Sequence, residues 1–175
     1  MPKVLYFTTW YNEKNEQRRS ELSTCLAILL ANKEIDKIFL LCENCPAPLA
    51  NPKLVPIFVS KRPAYSDFFE IMNEVSLPDD ILVLANTDVH PDEESVAKKK
   101  EIKSNECYAL SRWENGTVYN RRDSQDVWAF KSPMMSISGS FTLGTAGCDN
   151  RIARLIKDAG YTLLNPAKTI KFYHE

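Results

Sequence analysis

The chain has 175 residues, a length that suits one domain, since domains commonly hold roughly 100 to 150 residues and a chain of this size buries a substantial core. A hydrophobic fraction of 44% and a charged fraction of 26% are those of a globular fold in water, and a formal charge of -1 offers no field to nucleic acid or an anionic membrane. No run approaches the roughly 20 apolar residues of a membrane span, the N-terminal apolar stretch is too short for a signal peptide, and an odd, scattered set of cysteines fits reduced thiols, so the expected location is the cytoplasm.

Residues 3–9 alternate and then turn apolar, which predicts a first strand. Leu22, Cys25, Leu26, Leu29 and Leu30 then recur at helical spacing within 17–32. Apolar runs at 38–42 and 54–60 predict two more strands, and 66–75 a short amphipathic helix with Phe68, Phe69, Ile71, Met72 and Val75 on its buried side. Residues 81–85 read as a central strand covered on both faces. Strands alternating with helices over this half argue for an α/β domain across residues 1–175, with a mostly parallel central sheet and right-handed crossovers.

The second half changes character. Strands are expected over 107–113 and 127–131, and a loop over 132–147, which is rich in Ser, Gly, Thr and Met. Ile152, Leu155, Ile156 and Ala159 predict a helix over 149–159, with Asp149 or Asn150 suited to its N-terminal cap and Gly160 to its C-terminal one. A short strand at 161–164, a turn at Asn165-Pro166 and a last strand over 170–173, ending on His174, complete the order. Cys42 and Cys45 form a C-x-x-C, but no second pair stands at zinc-ligand spacing and Pro46 follows where a redox motif would open a helix. Asn115-Gly116-Thr117 has the letters of a glycosylation site and reads as a turn.

Most chemistry is concentrated where the apolar run at 81–85 stops at Asn86-Thr87-Asp88. Ligands of open α/β sheets sit at the carboxyl ends of such strands, so Asp88 is a candidate metal or ligand contact. As a turn residue it would instead cap the Asp92-Glu93-Glu94 segment.

Gly147-Cys148-Asp149-Asn150-Arg151-Ile152-Ala153-Arg154-Leu155, followed by Ala159-Gly160-Tyr161, Asn165-Pro166 and His174, resembles the C-terminal portion of inverting family-two glycosyltransferases. Their stretch reads Gly-Glu-Asp, a helix with Arg-Leu, then Ala-Gly-Tyr, a Pro and a final His; here Cys148 replaces the Glu and the Asp is kept. Asn86-Thr87-Asp88 stands where the family carries Asp-x-Asp, with the first acid replaced, and Thr8-Thr9-Trp10-Tyr11-Asn12 resembles the Thr-Tyr-Asn that ends its first strand. The likeness runs in order along nearly the whole chain, with fewer residues for acceptor recognition than the family usually has.

The resemblance implies a GT-A-like single domain that moves a sugar from a nucleoside-diphosphate sugar, a UDP-sugar for preference, to a hydroxyl acceptor on a glycan, lipid or protein. It implies Mn2+ or Mg2+ as cofactor, held by Asp88 and His174; such ions prefer oxygen donors and keep positions for water and phosphate. Asp149 is then the base, or else a helix cap, and the helix N-terminus is expected to keep its pKa low. Nucleotide contacts are expected from Thr8, Tyr11 and Asn86 at strand ends, and from Arg62, Tyr65 and Asp67, which offer a phosphate cation, a stacking ring and an acceptor for uracil or ribose. Ser66 or Asp67 would equally serve a helix start. Arg18 and Arg19 rank below Arg62 for phosphate. Trp113, Asp126 and Trp128 would line the sugar and acceptor cleft, or the tryptophans would belong to the core. Two other functions fit the residues: a nucleotide-sugar-binding module without turnover, and a metal-dependent phosphatase using Asp88, although such enzymes lead with a nucleophile on the first strand, where this chain has Thr8 and Thr9.

Overall fold

The computed structural model describes residues 1–99, 101–119 and 121–175. β1 (Val4–Tyr11) leads into α1 (Glu16–Ala31), whose start is fixed by the Asn15 side chain accepting the Arg18 N–H at 3.0 Å. β2 (Lys37–Glu43), β3 (Leu54–Val59), α2 (Tyr65–Val75) and β4 (Ile81–Ala85) follow. β2 and β4 flank β1 on opposite sides, both parallel to it, and β3 lies beyond β2. Chain order therefore reverses at β1, and a crevice opens beyond the carboxyl ends of β1 and β4 as it does at any such reversal.

Two elements that the sequence pattern does not announce come next, β5 (Val89–Pro91) and α3 (Glu93–Lys99). Asp92 caps α3 itself, accepting the Ser95 N–H at 2.7 Å, so Asp88 has no capping role there. β6 (Glu106–Leu110), β7 (Trp113–Glu114), β8 (Thr117–Val118), β9 (Val127–Lys131), α4 (Cys148–Asp158), β10 (Thr162–Leu164) and β11 (Phe172–His174) complete the chain. The strand expected over 107–113 breaks after Leu110, because the Ser111 N–H is taken by the Asn165 side chain at 3.4 Å. Trp113 begins a separate hairpin, turned by Asn115 (φ 50) and Gly116 (φ 78), the left-handed pair that a two-residue hairpin turn requires. The last strand starts at Phe172, later than the pattern suggests, because the Ile170 N–H closes a turn onto the Pro166 carbonyl at 2.9 Å. The cap expected at Asp149 or Asn150 is supplied by Gly147 at φ 75, and Asp149 is the second residue of α4.

The central sheet runs β10-β6-β9-β4-β1-β2-β3, with β9 antiparallel to both its neighbours and the other pairings parallel. Strand alternation divides its two faces. Val4, Tyr6, Ile38, Leu40, Ile81 and Val83 pack with Leu26 and Leu29 of α1 and Val96 of α3. Leu5, Phe7, Phe39, Leu82, Leu84 and Phe130 pack with Phe68, Phe69 and Met72 of α2 and Ile152 and Ile156 of α4. A smaller sheet, β5-β11-β7-β8, lies after β4 in the chain, and its pairing of His174 opposite Val89 returns His174 to the residue beside Asp88. No helix among the described residues is long and apolar enough to cross a membrane.

Candidate functional site at the carboxyl ends of β1 and β4

Thr9, Tyr11, Arg18, Arg62, Asp88 and Gly144 line a cavity of about 230 Å³ in the crevice. A second space of about 450 Å³ shares Thr9, Tyr11 and Arg62 and continues past the end of β2 to Asn12, Glu43 and Asn44. The floor is fixed by Thr87, whose hydroxyl is 2.6 Å from that of Thr9 across the β1–β4 seam. Arg62 crosses the 143–144 loop at Gly144, where φ is +70 and an added Cβ would stand 2.5 Å from Arg62 Nη2.

Asp88 is the centre of the cluster. Its Oδ2 accepts from Arg18 Nη2 at 2.6 Å and lies 3.2 Å from His174 Nε2. Burial works against the Arg18 cation, but the hydrogen bond to Asp88 and that carboxylate's charge prevail and raise its pKa. Among the described residues no group of three or more His, Cys, Asp or Glu side chains converges as a metal cage. Asp88 Oδ2 and His174 Nε2 are the oxygen and imidazole donors that would hold a divalent ion here, with its other positions left to water and phosphate. The guanidinium of Arg18 shares that oxygen, so an ion held there would compete with the arginine for it.

A row of acids leads away from this cluster. Asp126, 5% exposed just before β9, accepts from Asn86 Nδ2 at 3.0 Å and from Arg112 Nη1 at 3.3 Å. Burial raises its pKa while Arg112 and Asn86 oppose the rise, and the charge of Asp88 adds to it. Asp149 comes next, its Oδ2 accepting the Gln125 N–H at 3.2 Å and its Oδ1 3.4 Å from Cys148 Sγ. The expectation of a low pKa for Asp149 is reversed: burial raises it, with the charges of Asp126 and Asp123 adding.

The crevice thus gathers Tyr11, Arg62, Asn86, Asp88 and His174 among the residues singled out from sequence, with Asp126 and Asp149 alongside. Others are placed elsewhere. Thr8 is 2% exposed and does not line the crevice; its neighbour Thr9 does, because successive strand residues face opposite sides. Tyr65 is 1% exposed with its hydroxyl 3.8 Å from Cys148 Sγ, so its ring packs in the core and is withdrawn from base stacking. Asp67 accepts the Ala64 N–H at 2.7 Å and holds the start of α2. Trp128 is a core residue on the α2 and α4 face, and Trp113 donates its Nε1–H to the Ala167 carbonyl under Lys171. Sequence reasoning passed over Thr9, Glu43 and Gly144, of which only Gly144, a glycine in a loop opposite a candidate cation, left a signal.

No protein-family model and no curated protein matches the chain. Solved structures do. The mannosyltransferase PcManGT from Pyrobaculum calidifontis, in complex with GDP-Man and Mn2+, is similar over 99% of this chain and 56% of its own, with a TM-score of 0.68 and 14% identity. S. aureus TarS, as its fragment 1–349, is similar over 98% of this chain and 60% of its own, at TM-score 0.63 and 9% identity. The 4-diphosphocytidyl-2C-methyl-D-erythritol synthase of Anaerococcus prevotii is similar over 97% of this chain and 90% of its own, at TM-score 0.56 and 14% identity. This chain therefore spans little more than half of the first two proteins. At these identities the likeness is one of fold: a GT-A-like α/β arrangement with a mostly parallel sheet flanked by helices.

Proposed function

We propose that the chain, read as one domain over residues 1–175, is a metal-dependent glycosyltransferase that moves a sugar from a nucleoside-diphosphate sugar, with UDP the first nucleotide to test, to a hydroxyl acceptor. The observation that carries this reading is the convergence of Arg18, Arg62, Asp88 and His174 at the β1–β4 reversal. Two guanidiniums suit a diphosphate that gains charge as it leaves, since each offers several donors in a fixed fork. Tyr11, Asn12, Glu43 and Asn44 extend the crevice with a ring, amides and a carboxylate suited to a base and ribose. Asp88 and His174 would hold Mn2+ or Mg2+, and such an ion acts as a Lewis acid toward the leaving diphosphate.

Asp149 takes the proton from the acceptor hydroxyl. Its raised pKa suits that work, because a carboxylate drawn up toward the working pH is a stronger base than an exposed one. An amide at Asn86, where the resembling family has an acid, also suits a nucleotide-sugar-binding module without turnover.

The test joins binding to turnover. At a hundredfold excess over Kd a ligand of the native state adds about 2.7 kcal/mol, or roughly 5 to 11 °C in Tm for a chain of this size. UDP is expected to give such a shift in manganese and a smaller one in EDTA, and Asp88→Ala to abolish the difference. Equal shifts in both buffers would remove the metal from the reading. Isotope-labelled UDP-sugars that bind but are neither transferred nor hydrolysed would identify a binding module.

A further inference from the structure

α4 presents two different faces. Cys148, Ile152 and Ile156 are buried against the sheet. Asn150, Ala153, Arg154 and Lys157, at i, i+3, i+4 and i+7, instead line a cavity of about 410 Å³ between the helix and the β6–β10 edge. This cavity shares no lining residue with the β1–β4 crevice. Arg122 brings a third cation to it, and no carboxylate lines it, in a chain whose formal charge is only -1. Among the described residues Arg154 uses its Nε on Asp158 at 3.0 Å, and neither Arg122 nor Lys157 is held in an ion pair. Below the cations the wall is apolar, with Ala109, Leu163 and Leu164, the last 39% exposed.

Gln125 connects this cavity to the chemistry. The residue lines the cavity, its Nε2 donates to the Arg122 carbonyl at 2.9 Å, and its backbone N–H donates to Asp149 Oδ2 at 3.2 Å. A molecule seated there therefore lies against Gln125, whose backbone N–H tethers the proposed base. Arg122 and Lys157, without an ion-pair partner among the described residues, stand beside an Arg154 that is paired with Asp158, and an anionic ligand relieves the repulsion among them. Guanidinium and ammonium groups together make charge-assisted hydrogen bonds to phosphate or carboxylate oxygens.

We infer that this cavity is the acceptor subsite and that it takes a hydroxyl acceptor carrying an anionic group, phosphate or carboxylate, beside an apolar portion. The assignment rests on Asp149 as the base of the proposed transfer.

The experiment is an amide-resolved NMR titration of the full chain with glycerol phosphate, glucuronate, neutral glycerol and, separately, UDP with manganese. Glycerol phosphate or glucuronate is expected to shift Asn150, Ala153, Arg154 and Leu164 saturably, glycerol to leave them unmoved, and UDP to shift Thr9, Tyr11 and Asp88. The Arg154→Ala/Lys157→Ala double variant changes exposed side chains, so it should fold, keep its response to UDP and bind the anions about tenfold or more weakly. Anion shifts confined to the β1–β4 crevice, equal shifts with glycerol, or unchanged affinity in the double variant would overturn the inference. If UDP fails to bind while the cavity still takes anions, the transferase reading and the acceptor role fall together and an anion site is left. Flotation with phosphatidylcholine vesicles doped with phosphatidic acid, against undoped vesicles, separates a lipid-borne phosphate from a soluble one.

Discussion

Replacing Asp149 by Asn distinguishes a base from a structural carboxylate, because the two roles move stability and turnover in opposite ways. The native carboxylate accepts the Gln125 N–H at 3.2 Å, and an asparagine oxygen can keep that bond. What is lost is the charge, and burial makes that charge unfavourable, as the raised pKa records. The linkage sign follows: a carboxyl whose folded pKa lies above its unfolded value of about 3.9 adds stability below that value and loses it as pH rises through the folded pKa. Above its folded pKa the ionised Asp149 contributes none of it, so there Asp149→Asn should leave stability within about 1 kcal/mol of the parent, or slightly above it. Transfer should fall about 100-fold or more, which is about 2.7 kcal/mol of barrier. The assay is denaturant unfolding in parallel with a pH profile of sugar transfer, whose acidic limb in the parent should follow Asp149 and disappear in the variant. Near-full transfer with the acidic limb intact would refute the reasoning and direct attention to Asp126 or Asp123. A stability loss of several kcal/mol, by contrast, would make Asp149 a structural residue.

Gly144→Ala should cost about 1 to 2 kcal/mol for its left-handed backbone and, by displacing Arg62, weaken UDP binding; calorimetry showing parent affinity would separate Arg62 from the phosphates. Arg18→Met frees Asp88 Oδ2 from its guanidinium, so manganese without nucleotide should raise Tm more in the variant than in the parent, and equal shifts would mean that the ion is not held on that oxygen. Lys99 is fully buried over the Phe172 ring with its ammonium otherwise unpartnered among the described residues, so Lys99→Met should stabilise the fold by about 1 to 3 kcal/mol in urea unfolding. Burial lowers the Lys99 pKa, with Asp92 opposing, so the parent's stability should climb with pH from that lowered value toward about 10.4, a slope that the variant lacks; loss of stability in Lys99→Met would mean that the cation is needed.

The middle of the central sheet is legible because strands such as β1, β2, β4 and β9 are buried on both faces over most of their length and must be apolar nearly throughout. Ile81–Ala85 shows this most plainly, since every residue of it is buried. Short elements escape the same logic: β5 has three residues and α3 seven, too few for a period to declare itself. The break after Leu110 depends on Asn165, a partner 54 residues away, and no local pattern records it. Tyr65 is different, because its spacing from Phe68, Phe69 and Met72 already gives i, i+3, i+4 and i+7 on the buried side of α2. Thr8 is buried and Thr9 lines the crevice, a distinction that the pattern does not make: at the period of two Tyr6 and Trp10 flank Thr8 and Phe7 and Tyr11 flank Thr9, so both faces of β1 read alike.

Asn86 shows how a departure from the family-like pattern makes physical sense once its neighbours are known. An acid at this position would place a third carboxylate between Asp88 and Asp126, whose charges already act on one another, and Asp126 is too buried for solvent to screen it. The amide instead donates to Asp126 at 3.0 Å while Arg112 supplies the counter-charge at 3.3 Å, so Asp126 has opposing contacts that favour its ionised form. Asp88 then keeps its own partners, Arg18 and His174, on the crevice side. Asn86 thus stands between two groups of carboxylates. One is centred on Asp88 and faces the β1–β4 crevice; the other joins Asp126 to Asp149 and, through Gln125, to the cationic cavity beyond. The sequence shows only an amide where the resembling pattern has an acid, whereas its contacts show Asn86 as the joint between the two groups.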